Sequence, residues 1–175
     1  MVVVGAFVPF LKSLKRAKQA FTVLELDAAT LKPDELPYYR PADQADQIVP
    51  SADVLLATGT TLVNDTLEQL LAVCRPTARV VVVGPTVGLL PDAFLRRGVD
   101  VLGAIRITAP DAFLDALSEG GSGYHFFGRS AEKVVLMRRS GASLGPAVSD
   151  RHSFNSASTK AANARALALG IRPVG

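Results

Sequence analysis

Val54-Leu55-Leu56-Ala57-Thr58-Gly59-Thr60-Thr61-Leu62-Val63-Asn64-Asp65-Thr66 reads as a strand that runs into a turn of small residues and leaves it as a helix. The apolar run Val54 to Ala57 is unbroken, as expected of a strand covered on both faces of a parallel sheet. At the turn stand one glycine and three hydroxyls. Small residues let a ligand approach the backbone, and a helix starting there offers unpaired N–H groups and a partial positive charge. The stretch predicts a parallel α/β sheet and a ligand position at a strand's carboxyl end.

Working outward, the same device recurs. Val2-Val3-Val4 leads into Gly5-Ala6-Phe7-Val8-Pro9, with Pro9 suited to a first helical turn. Arg79 to Val83 leads into Gly84-Pro85-Thr86-Val87-Gly88. Further strands are expected at Thr22 to Asp27 and Val99 to Ile105, with a closing pair at Tyr124 to Phe127 and Lys133 to Met137. Helical spacing is read in Phe10, Leu14, Ala17 and Phe21, with Lys12, Lys15, Arg16 and Lys18 as a solvated face. The stripe Val63, Leu67, Leu70, Leu71, Cys74 predicts one helix with Cys74 as a core thiol. Shorter helices are expected over Ala42 to Val49, from Pro91 to a Gly98 cap, and after Thr108-Ala109-Pro110-Asp111. Strand and helix alternate about five times, which predicts a Rossmann-like, doubly wound, mostly parallel sheet with helices on both faces. Ligands in such a sheet bind beyond the carboxyl ends of the strands, where the strand order switches.

Of the 175 residues, 49% are hydrophobic and 20% charged, an ordinary globular composition. No apolar run reaches the roughly 20 residues of a membrane helix, and Val2 to Phe10 does not read as a signal peptide. The single cysteine leaves no internal disulfide, so a cytoplasmic protein is expected. The net charge of +3 divides unevenly: Met1 to Met137 holds 13 basic and 15 acidic residues, whereas Arg138 onward holds six basic residues and one acid. Residues 1–139 therefore read as the domain. Residues 140–175, rich in Ser, Ala, Gly and Arg, read as a loosely attached tail in which only Ala161 to Leu169 has helix propensity. With the basic excess confined to that tail, specific nucleic-acid binding is not expected of the domain.

The loops limit the chemistry. Gly5-Ala6-Phe7-Val8-Pro9-Phe10 keeps only the first glycine of a dinucleotide fingerprint, and Phe7 and Val8 obstruct a pyrophosphate. Asp27 stands where an acid often meets ribose hydroxyls, or simply ends a strand. His125 and His152 have no partners at zinc spacing, and neither lies in the three loops, so a catalytic triad has no members. Glu25, Asp27, Asn64 and Asp65 could donate oxygens to a hard cation, while Asp65 reads more simply as a helix-dipole partner. Arg106 either meets an anion at the site or lies on the surface.

Gly5-Ala6-Phe7-Val8-Pro9, Glu25-Leu26-Asp27, Pro50-Ser51-Ala52-Asp53, Thr58 to Thr66, Gly84-Pro85-Thr86 and Gly98-Val99-Asp100 together resemble the putative heavy-metal chelation family. The resemblance covers roughly Val2 to Met137, and Thr-Gly-Thr-Thr-Leu-x-Asn-x-Thr is its most specific part. It implies a Rossmann-like domain preceded by a smaller enolase-like domain, with a site between the two. A role in handling metals or metal-binding small molecules, or in corrinoid metabolism, is also implied. Met1 abuts the first strand, so the preceding domain is expected to be missing, and Phe10 replaces an expected second proline.

On this reading Gly5, Phe7, Pro9, Asp27, Thr58, Gly59, Thr60, Asn64, Gly84, Pro85 and Thr86 line a cleft. Amides of the Thr58 and Gly84 loops hold carboxylate or phosphate groups, and Asp27 and Asn64 orient polar groups or a chelated cation. The ligand is a small molecule, a metal or a metal-chelating compound. Two other readings stand beside it: a group-transfer enzyme using a nucleotide cofactor such as S-adenosylmethionine, and a non-catalytic assembly subunit. In the last, a homo-oligomer forms through an exposed sheet edge or cleft.

Overall fold

A computed structural model describes residues 1–138. Seven strands form one sheet in the order β3-β2-β1-β4-β5-β6-β7: β1 Val2–Val4, β2 Thr22–Glu25, β3 Tyr39–Pro41, β4 Val54–Thr58, β5 Arg79–Val83, β6 Val101–Ile107 and β7 Ala131–Met137. All neighbours pair parallel except β6 and β7, which pair antiparallel. The doubly wound, mostly parallel α/β sheet expected from the sequence is present. Its order is that of dinucleotide-binding folds, with the switch between β1 and β4.

The helices are α1 Val8–Arg16, α2 Ala45–Ile48, α3 Thr60–Val63, α4 Leu67–Val73, α5 Pro91–Arg96, α6 Pro110–Ser118 and α7 Gly123–Phe126. Among the described residues none is long and apolar enough to cross a membrane. One sheet face carries the larger core, where Leu67 and Leu70 of α4 and Phe94 of α5 meet Leu55, Ala57, Val82 and Leu102. The other face carries a smaller cluster of Val3, Leu11, Phe21, Val23, Leu31 and Leu56, with α1 against it. Each such large buried side chain contributes about 1.5–3 kcal/mol relative to leaving it in water.

Several sequence expectations are corrected. The helix after β4 is two: Asp65 takes φ +57°, a left-handed conformation that stops α3 after one turn and restarts the chain as α4. Val63 consequently leaves the apolar stripe and is 72% exposed, and Asp65 forms the corner between the two helices, directly before the α4 N-cap Thr66. Cys74 is half-buried and packs at the edge of the larger core. The anchor of α1 is the fully buried Leu11, while Ala17 is exposed beyond the helix end. Tyr124 to Phe126 form α7, not a strand, because Ser122 and His125 cap that turn reciprocally. A short strand, Tyr39–Pro41, lies inside what reads as a loop. Arg106 sits on β6 and pairs with Glu132 on β7, so it faces no site at the strand ends. The expected tail and its Ala161 to Leu169 segment lie outside the described residues.

Candidate functional site

The loops after β1, β4 and β5 meet at the switch point as one packed seam. Gly5 has φ +102°, and a Cβ there would come within 2.9 Å of Thr58 Cγ2, which brings the β1 and β4 turns into contact. Gly84 combines φ +152° with ψ 165°, a region essentially restricted to glycine. A Cβ on Gly84 would lie 3.3 Å from the amide nitrogen of Gly59. Gly59 is buried, and a Cβ on it would collide with Thr86 Oγ1 and reach within 3.1 Å of Val87 Cγ1. The space that seemed to admit a ligand at Gly59 is thus filled by the neighbouring loop.

The amides show the same commitment. Gly5 N–H donates to Leu24 O (2.9 Å), Gly59 N–H to Val83 O (2.8 Å) and Gly84 N–H to Gly103 O (2.9 Å), each extending the sheet. These three glycine amides are committed to the sheet, so an anion at the Thr58 and Gly84 loops would have to use other amides of those loops. With only one turn in α3, the aligned peptide dipoles behind such an anion are also few.

Hydroxyls dominate what faces outward. Thr58 Oγ1 lies 3.2 Å from Thr60 Oγ1, and Thr60 N–H points at it from 3.3 Å. Thr61, which is fully buried, donates to the Thr58 carbonyl (2.6 Å) and fixes the turn. Oriented for its surroundings, the Asn64 amide donates to the Thr60 and Thr61 carbonyls (3.2 Å each) and to Thr66 Oγ1 (2.7 Å). Asn64 thereby satisfies carbonyls that the early end of α3 would leave without partners.

Two clefts flank the seam. The first, about 200 Å³, lies between the ends of β1, β2 and β4 and the α2 and α4 helices. Its polar lining is Glu25, Asp43, Asp46, Thr58, Thr61, Asn64, Thr66 and Gln69, with Gly5 at its floor. These polar side chains are all carboxylates, hydroxyls or amides set among apolar neighbours such as Val4, Leu24, Leu26 and Leu70, and no Lys or Arg lines the cleft. The second, about 580 Å³, opens between the Pro85-Thr86 turn, the end of β6 and α6–α7. Ile105, Ile107, Phe113, Leu117 and Phe126 make it largely apolar. Sequence reading missed this second cleft because α7 was read as a strand.

Of the eleven residues expected to line one cleft, Gly5, Thr58 and Asn64 border the first and Pro85 and Thr86 the second. Gly59 and Gly84 lie in the seam between them, and Thr60 stands at its exposed end. Phe7, Pro9 and Asp27 border neither cleft. Phe7 packs edge-to-face on Phe10 at 5.6 Å, Pro9 is exposed in the first turn of α1, and Asp27 caps a 3-10 turn by accepting from Ala29 N–H (2.8 Å).

Two of the three acids lining the first cleft are engaged. Glu25 accepts from Leu26 N–H (2.8 Å) and Asp46 from the Gln69 amide (3.0 Å). Among the described residues no group of three or more His, Cys, Asp or Glu converges as a metal centre. Among the described residues the side chains at this cleft do not by themselves form a site for a bare metal ion.

A family model described as putative heavy-metal chelation matches residues 1–136. No curated protein matches the chain. Among solved structures, a protein of unknown function from the same family in Pyrococcus horikoshii is 24% identical, with a TM-score of 0.68, over 78% of this chain and 54% of that one. Another from the family, in Desulfitobacterium hafniense, is 24% identical with a TM-score of 0.61, over 78% of this chain and 52% of that one. These likenesses show the fold. The chain spans about half the length of these solved relatives.

Proposed function

We propose that this chain, which belongs to the putative heavy-metal chelation family, is a binding domain for a small molecule or metal complex that docks at the β1–β4 switch point. The observation that carries the reading is the cleft beside the Gly5–Thr58 contact, where acid, hydroxyl and amide side chains converge with no Lys or Arg, at the position where open α/β sheets take ligands. Thr58, Thr66, Asn64 and Gln69 offer hydroxyl and amide partners, while Glu25, Asp43 and Asp46 give the rim a negative character. Such a lining suits a ligand that is neutral or positively charged and rich in hydrogen-bond donors. A metal would arrive with its own chelator, the protein contacting the chelator rather than the ion.

A nucleotide-cofactor enzyme is the second reading, favoured by the strand order alone. Against it, the Asp27 carboxylate that would take a ribose is committed to Ala29 N–H.

Native mass spectrometry of freshly purified protein tests the leading reading. The expected result is a retained organic adduct, with or without metal, which Thr58→Leu loses while the far-ultraviolet spectrum stays unchanged. A bare metal adduct that survives Thr58→Leu, or no adduct from the protein as purified and after incubation with cobalt–amine or nickel–amine complexes, overturns it.

A further inference from the structure

The two edges of the sheet are built differently. β3 is three residues long, ends in Pro41, and has Arg40 folded back onto the Tyr39 carbonyl (2.6 Å). Short length, charge and proline are the devices that keep an edge from pairing. β7 has seven residues, no proline, and an unbulged register from Val101↔Met137 to Ile107↔Ala131. Among the described residues β6 is its one partner strand, and the only other bridge is an isolated one between Ala131 and Phe127 at its start.

The direction of its backbone follows from the bonds at its two ends. Thr108 N–H donates to Ser130 O (2.8 Å) and Arg138 N–H to Asp100 O (2.9 Å). In an antiparallel ladder bonded pairs alternate, so even-numbered residues of β7 turn their backbone groups toward β6. Lys133, Val135 and Met137 therefore turn theirs outward. The Ala131 carbonyl also points outward but is taken by Gly128 N–H (3.0 Å).

We infer that β7 is a homodimer edge, pairing antiparallel with β7 of a second copy about a two-fold axis through Val135. In that register Val135 faces Val135 of the second copy with two backbone bonds, and each Lys133 faces Met137 with two more. The alternate, closer pairs place Val134 against Leu136 and Glu132 against Arg138, opposite charges facing each other twice, with Glu132 also held by Arg106 of its own chain and the Arg138 guanidinium donating to the Leu95 carbonyl (2.6 Å). An axis through Lys133 would oppose two lysines, and one through Val134 would call on the occupied Ala131 carbonyl and leave Glu132 facing Leu136. Val135, 40% exposed, is covered in the pairing. One strand pair buries less than the ~1,200 Å² of a standard interface, so the dimer belongs to the weak, concentration-dependent class.

Sedimentation velocity of the full chain over a concentration series, with amide hydrogen exchange on the same samples, tests the assignment. Association is expected to rise with concentration, with protection of the Lys133, Val135 and Met137 amides rising alongside. Val135→Pro removes only an outward N–H, which an edge strand tolerates, and should weaken association at least tenfold at an unchanged Tm. Glu132→Arg and Arg138→Glu chains should each self-associate less than wild type and bind one another when mixed. A monomer with freely exchanging outward amides overturns the inference. So does a monomer whose amides are already protected, or association indifferent to Val135→Pro and to the charge reversals.

Discussion

Gly59 sits at φ −62°, which any residue adopts, so space rather than backbone conformation excludes a side chain there. Gly59→Val is expected to cost about 1–3 kcal/mol through overpacking against Thr86 and Val87, measured as a shift in the urea midpoint. Gly59→Ala combined with Thr86→Ala should recover part of the Gly59→Ala loss, because the colliding oxygen is gone. The glycine-and-hydroxyl turn was legible in the sequence as a special place. Its partner was not, since a sequence does not say whether the neighbour of a small residue is a ligand or another loop.

Cys74 is likewise a residue whose environment decides its chemistry. Burial, with a smaller contribution from the Asp100 charge, raises its thiol pKa above the ordinary value. Thiol reagents should modify it slowly near neutral pH, with the rate climbing only above the pH at which a free cysteine ionises. The linkage has a fixed sign. A thiol pKa raised by folding stabilises the fold below the unfolded-state pKa, and that contribution is lost as pH rises through the folded value. A labelling rate at neutral pH equal to that of the denatured chain would contradict this placement.

At the scale of elements, the connection from β2 to β3 is organised by one buried acid. Glu35 is 2% exposed, accepts from Lys32 N–H (3.0 Å) and lies 3.9 Å from the Lys15 ammonium. Lys15 also pairs with the exposed Asp34; the hydrogen bond between them raises the Lys15 pKa and lowers that of Asp34. Glu35→Ala leaves the Lys32 amide without its partner and should cost roughly 1–3 kcal/mol, whereas Asp34→Ala should cost much less because water and salt screen an exposed pair. Urea melts of the two variants at low and high salt make the comparison. The Asp34 contribution is present above its unfolded pKa and disappears as pH falls through the lowered folded value.

Which elements the sequence disclosed follows from how each is held. Strands β1, β4 and β5 are apolar runs that pack by their own composition, and all three were legible. The break between α3 and α4 was not, because Leu67 and Leu70 continue helical spacing across a left-handed Asp65. Asp65→Val is expected to destabilise by about 1–2 kcal/mol, the penalty of a left-handed backbone for a residue with a Cβ branch, read from thermal melts. The strand Tyr39–Pro41 also escaped, since an edge strand of three residues shows little periodicity. The candidate site was legible as a region, and the roles within it required the fold.

For the molecule as a whole, the described residues contain a seven-stranded sheet with a core on each face. The charge is divided, −2 through Met137 and +5 from Arg138 on. The sequence from Ser140 shows no apolar periodicity that would bury against either core, and ordering a backbone costs about 1–2 kcal/mol per residue. A chain ending after Ser140 is therefore expected to melt within a few degrees of the full chain. It should also lose the affinity for polyanions that the basic segment confers. That affinity in the full chain should fall steeply with salt, because it arises from counterion release and not from a shaped site. Calorimetry of both chains, with heparin binding at two salt concentrations, supplies the measurement. Unfolding of the shortened chain would mean instead that Ala161 to Leu169 packs as a further helix, and polyanion binding that persists without the segment would move the basic surface onto the sheet domain itself.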